Sequence, residues 1–135
     1  MSRSEVEYPP TFTIKPRIRE EDEGNRLIFE CELNAIPRPE FVWYKDEELV
    51  VDDGYRWQLG IRETRPHHYL CWLELNDVIE IDEGNYRVHA NNLLGDVTAS
   101  IRLNFDRKLW GPEGFGSMLA WVHFRFRTRV LRLHS

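Results

Sequence analysis

Between residues 9 and 106 the chain alternates apolar and polar residues with period 2 in many short runs. Period 2 is the strand signal, because successive strand side chains point to opposite faces. Leu27, Phe29, Cys31 and Leu33 share one face, while Glu30 and Glu32 share the other. Phe41, Trp43 and Lys45 alternate with Val42 and Tyr44, and Trp57, Leu59 and Ile61 with Gln58 and Arg62. Tyr69, Cys71, Leu73 and Leu75 form the next inward row. Tyr86, Val88 and Ala90 form another, with Arg87 and His89 outward. Val97, Ala99, Ile101, Leu103 and Phe105 close the series. A weaker first strand holds Phe12, Ile14 and Ile18. It is interrupted by Pro9, Pro10 and Pro16, which suits an edge strand because proline cannot donate to a ladder.

Turn clusters separate these runs: Glu23-Gly24-Asn25, Pro37-Arg38-Pro39, Asp52-Asp53-Gly54, Asp82-Glu83-Gly84-Asn85, and Asn91-Asn92 through Gly95-Asp96. No segment of this body sustains a 3.6-residue period. Seven or so short strands in about 100 residues predict an all-β antiparallel sandwich.

Charge divides the chain. Its formal net charge is −5 over 135 residues. Residues 1–106 carry 12 Lys/Arg against 22 Asp/Glu, whereas residues 107–135 carry 6 against 1. An acidic body is followed by a basic tail. The balance does not suggest a nucleic-acid binder. The length accommodates one domain, and two cysteines do not make a disulfide-dense scaffold. The first ten residues contain no apolar signal-peptide core, and no apolar run reaches the roughly 18 residues of a membrane span. The expectation is a soluble intracellular protein with reduced thiols.

Cys31 on one strand, Trp43 twelve residues later, and Asp82-x-Gly84-x-Tyr86 further on resemble the immunoglobulin domain of the intermediate set (I-set). The resemblance covers residues 9–106 and implies a Greek-key immunoglobulin-like sandwich. It places strands A near 9–14, A′ near 16–20, B at 26–34, C at 40–45, D at 55–63, E at 68–76, F at 84–92 and G at 95–105. Cys31, Trp43, Leu73, Asp82, Gly84, Tyr86 and Val88 become its structural core. Tyr86 becomes the tyrosine of the corner that opens strand F, its hydroxyl bonded to upstream backbone.

One departure stands out. The family usually has its second cysteine two residues after Tyr86, and this chain has Val88 there. Cys31 then serves as a small apolar residue against Trp43. Cys71 faces inward on the neighbouring strand. Free thiols are the expected state, and a Cys31–Cys71 bridge is the geometric alternative. Extracellular family members mostly keep both cysteines, and intracellular muscle members often do not. Pro10-Thr11-Phe12, Trp43-Tyr44-Lys45-Asp46 and Ala90-Asn91-Asn92-Leu93-Leu94-Gly95 are similar to modules of giant sarcomeric proteins of the twitchin, projectin and titin type.

No catalytic set is found. His67 and His68 are adjacent and face opposite sides of a strand, so they do not share one ion. The run Glu20-Glu21-Asp22-Glu23 lacks the alternating ligands of a calcium loop and reads as a solvated edge. Asp46, Glu47, Glu48, Asp52 and Asp53 read the same way. No glycine-rich phosphate cradle follows a strand, and neither cysteine has a positioned base. No cofactor, metal or nucleic acid is expected. The giant relatives also carry a kinase domain, but none of its sequence occurs in these residues.

Surface remains. Arg38 and Glu40 flank the B–C loop, and Asn91, Asn92 and Leu94 lie on the F–G turn at the same pole. These and Tyr44 are the candidate interface, with Val42 and Trp57 as further members of an exposed apolar face. The resemblance implies a mechanical role in the cytoplasm, in the sarcomere of the muscle cytoskeleton. The chain would be a tandem-repeat module acting as spacer, elastic link or docking face. Its partners would be neighbouring immunoglobulin or fibronectin modules and thick-filament proteins such as myosin, with no membrane involved. A parallel A′–G pairing, where present in relatives, carries load in shear. The alternative is an extracellular adhesion or receptor domain. Residues 1–8 read as a flank. Residues 107–135 read as a basic aromatic tail outside the fold, either a non-native extension or a docking segment.

Overall fold

The computed structural model describes residues 6–105. The reading of 107–135 as a separate tail lies outside them. Eight strands occur in chain order: β1 Tyr8–Glu21, β2 Arg26–Ile36, β3 Glu40–Lys45, β4 Glu48–Leu49, β5 Trp57–Arg65, β6 His68–Asn76, β7 Gly84–Asn92 and β8 Gly95–Leu103. They form two four-stranded antiparallel sheets, ordered β1-β2-β6-β5 and β4-β3-β7-β8. This is the expected all-β immunoglobulin-like sandwich.

Alternation builds the core. Along β6 every second residue is buried, which places Tyr69, Cys71, Leu73 and Leu75 inside. Leu27, Phe29, Cys31 and Leu33 of β2 lie beside them in the same sheet, and Trp43, Tyr86, Val88, Ala90, Ile101 and Leu103 face them from the second sheet. Phe29 ties the layers together, stacked on Tyr86 at 4.2 Å between centroids and edge-on to Trp43 at 6.1 Å. Each such pair adds roughly 0.5–1.5 kcal/mol beyond its area burial.

Two features differ from the sequence expectation. Residues 8–21 form one strand, not an A and an A′ segment, and β1 stays on β2 throughout. Among the described residues no ladder joins β1 to β8, so the parallel A′–G pairing is absent. The register of β1 on β2 shifts three times, across Pro9-Pro10, at Thr13 and across Lys15-Pro16. These irregularities accommodate the prolines' missing donors while β1 keeps β2 as its partner. The second difference is β4, a two-residue strand paired to Tyr44 and Lys45, too short to show a period.

Candidate protein-interaction surfaces

Three segments meet at one pole: the start of β1, the β2–β3 loop and the β7–β8 turn. One side chain holds them together. Asn92 Nδ2 donates to the Tyr8 carbonyl at 2.9 Å and to the Pro37 carbonyl at 3.0 Å, while its Oδ1 accepts the Leu94 N–H at 2.9 Å. The Ile36–Pro37 peptide in that loop is cis. Arg38 lies over the Tyr69 ring, 5.4 Å from its centroid. Glu40 and Asn91 pair across β3 and β7. The structure thus brings Arg38, Glu40, Asn91, Asn92 and Leu94 to one pole. The side chain of Asn92 is committed to the fold there. Leu93, at the turn tip, is 90% exposed. Its signal was legible: an apolar residue at the tip of a two-residue hairpin has nothing to pack against.

Tyr44 lies elsewhere, on the outer face of the β4-β3-β7-β8 sheet. It pairs with Leu49 on one side and Arg87 on the other. The Arg87 guanidinium sits 4.3 Å from the Tyr44 ring centroid and bonds Glu47 at 2.7 Å. Val42 neighbours His89, whose Nε2 is 2.7 Å from Asp96 Oδ2. Trp57 does not join this face. Its ring turns inward, 6.5 Å from that of Tyr86.

The opposite pole is built around Tyr86 and Asp82. Tyr86 OH donates to the Asp82 carbonyl at 2.6 Å, closing the corner. The Asp82 carboxylate accepts the Ile79 N–H at 2.8 Å and pairs with Arg56. Burial pushes the Asp82 carboxyl up, because desolvation outweighs these partners. Burial raises the Tyr86 phenol as well. Gly84 comes close to a neighbour: a Cβ there would stand 2.6 Å from Asp46 Oδ2. That carboxylate also accepts the Asn85 N–H at 3.0 Å. Cys31, Trp43, Leu73 and Val88 lie between the poles, fully buried.

An open groove of about 600 Å³ runs beside β4 and the start of β5, lined by Asp46, Glu48, Leu49, Val51, Asp53 and Trp57 among others. Asp53 and its neighbour Asp52 serve the loop. Asp53 Oδ1 accepts the N–H groups of Tyr55, Arg56 and Trp57, and Asp52 those of Gly54 and Leu59. Among the described residues, no group of three or more His, Cys, Asp or Glu side chains is arranged to hold a metal.

The two poles are the two ends of β7. The chain enters beside Asn92 at its last residue. Phe105, the last described residue, donates its N–H to Glu83 at 2.7 Å beside the first residue, Gly84. Nine strand residues separate these two ends by about 27 Å.

Residues 10–105 match the profile of the immunoglobulin I-set domain. The chain is 33% identical over 95 residues to Titin of Drosophila melanogaster, a match covering 70% of this chain and 0% of that protein. It is 32% identical over 127 residues to IgLON family member 5 of Mus musculus, covering 89% of this chain and 36% of that protein. Among solved structures it resembles the I-band fragment I67-I69 from titin, with a TM-score of 0.58, 25% identity, and 70% of this chain and 32% of that one covered. It also resembles a chain of the crystal structure of Dpr2 Ig1-Ig2 in complex with DIP-Theta Ig1-Ig3, with a TM-score of 0.62, 26% identity, and coverage of 72% and 32%. The chain spans about a third or less of each of these relatives.

Proposed function

The chain belongs to the immunoglobulin I-set family, and from that premise we propose that it is an intracellular, load-bearing module of a muscle filament protein. Its role is to space and connect neighbouring modules in series. The observation that carries this reading is that β1 begins at one end of β7 and β8 finishes at the other. A domain with its termini at opposite poles extends an array by its own length. The pole around Arg38, Glu40, Asn91, Leu93 and Leu94 meets the preceding module. Val88 in place of a strand-F cysteine supports a cytoplasmic site, because the core closes without a bond that needs oxidising conditions. Thick-filament myosin is the filament partner to test.

The second reading is a cell-surface adhesion module. The likeness to IgLON family member 5 and to the Dpr2–DIP-Theta complex favours it, and the outer face around Val42, Tyr44 and His89 would be its contact surface. Antibodies raised against residues 6–105 separate the two. Periodic staining of permeabilised muscle in register with the filaments supports the first. Staining of intact, non-permeabilised cells overturns it in favour of the second.

A further inference from the structure

The two cysteines face each other across one ladder. Cys31 on β2 pairs with Cys71 on β6. Both are free and fully buried. Just beyond the ladder, the Ala35 N–H donates to the His67 carbonyl at 3.0 Å. Hydrogen-bonded pairs recur at every second residue of an antiparallel ladder, so Leu33–Tyr69 and Cys31–Cys71 are such pairs too. Pairs of this kind hold their Cα atoms about 5.5 Å apart, inside the disulfide range and close to its commonest value. Their Cβ atoms stand about 5 Å apart, wider than the roughly 3.8 Å of a relaxed bridge. A bond here forms under strain, and strained disulfides are the reducible ones.

We propose that Cys31 and Cys71 are a reversible cross-strand redox site within the first sheet, closed by a small disulfide oxidant of the glutathione type. One protein thiolate attacks the oxidant, forming a mixed disulfide and expelling one small thiolate. The second protein thiolate attacks the protein sulfur of that mixed disulfide, forming the Cys31–Cys71 bond and expelling the other. The two cysteine protons end on the two released thiols. Two cysteines are oxidised and one small disulfide is reduced.

Burial decides when this happens. The neighbouring Cys71 thiol and burial both hold Cys31 protonated, and neither sulfur meets solvent in the closed sandwich. Closure therefore follows partial opening, and it enters through the least stable part of the fold. β5, the outer strand beside β6, is the natural place. Once formed, the bond encloses β3, β4 and β5 in a covalent loop that cannot lengthen when the ends are pulled apart.

The inference does not depend on the proposed function. The chain has only these two cysteines, so intact mass reports the outcome directly. The whole chain is incubated with reduced and oxidised glutathione, with no urea and with urea below the unfolding transition. The expected product is lighter by two hydrogens and yields a crosslinked Cys31–Cys71 peptide. It forms faster in the urea arm, keeps its near-ultraviolet circular dichroism, and returns both thiols with dithiothreitol. Glutathione adducts without an internal bond, covalent dimers, loss of the dichroism on closure, or no oxidation in either arm would each overturn the proposal.

Discussion

Gly60 sits in β5 directly opposite Trp72 of β6. The Trp72 ring lies across it so closely that a Cβ at residue 60 would stand 2.1 Å from Cζ2 and 2.4 Å from Cε2. Replacing Gly60 with alanine therefore sets two effects against each other. Alanine in a strand is better than glycine by roughly 0.5–1 kcal/mol, because less chain entropy is lost on folding. Forcing a methyl into the ring costs roughly 1–3 kcal/mol. With Trp72 in place, Gly60→Ala is expected to destabilise by about 1 kcal/mol, a Tm loss of about 4–8 °C for a domain of this size. In a Trp72→Ala background the obstacle is gone, and the same substitution stabilises by about 0.5–1 kcal/mol. The interaction energy of the cycle is then the overpacking cost itself, about 1–3 kcal/mol. Urea unfolding followed by far-ultraviolet circular dichroism measures all four proteins. An equal effect of Gly60→Ala in both backgrounds refutes the reasoning.

Other outcomes follow from the two poles. Asn92→Ala removes three hydrogen bonds and is expected to cost about 2–3 kcal/mol, with faster amide exchange at Leu94 as its local signature. Tyr86→Phe leaves the Asp82 carbonyl without its hydroxyl donor and should cost about 1–2 kcal/mol in urea unfolding. Leu93→Asp, at an exposed turn tip, should change stability by less than about 0.5 kcal/mol, and yet weaken docking of a preceding module in a two-module calorimetric titration. The carboxylates give a pH test. Asp46 is depressed by the Asn85 N–H and Asp53 by the Trp57 N–H, so their stabilisation is present above the ordinary carboxylate range and is lost as pH falls through their folded values. Asp82 is raised by burial. Its contribution is full below about pH 3.9 and is lost as pH rises through its folded value. Above about pH 4 the urea midpoint should drift downward with pH, and Asp82→Asn should abolish that drift.

Most of the sandwich was legible because its strands alternate cleanly. β6 buries every second residue throughout and β7 does so from Gly84 to Ala90, so their inward rows could be read directly. What escaped was whatever alternation does not encode. Glu30 reads as an outward, solvated carboxylate, and in the structure it is only 5% exposed. Arg17 and Arg19, from the strand alongside, fold over it and bond both its oxygens. That burial comes from neighbouring side chains, which period 2 cannot report. Trp57 was ambiguous for a related reason: its edge strand leaves room for the ring to turn outward, but Tyr86 draws it in. The candidate interface was legible as a pole because loop residues gather where strands end. The internal use of Asn92 was not, since its partners Tyr8 and Pro37 lie 84 and 55 residues away in sequence.

Asn92 has a consequence for any array built from such modules. The direction in which the polypeptide enters the sandwich is set where its amide grips the Tyr8 carbonyl. The same amide fixes the loop and the turn against which a preceding neighbour would rest. Orientation and footing are therefore one variable. In an array of the kind proposed, losing that one side chain would loosen both at once while the sandwich below stays folded.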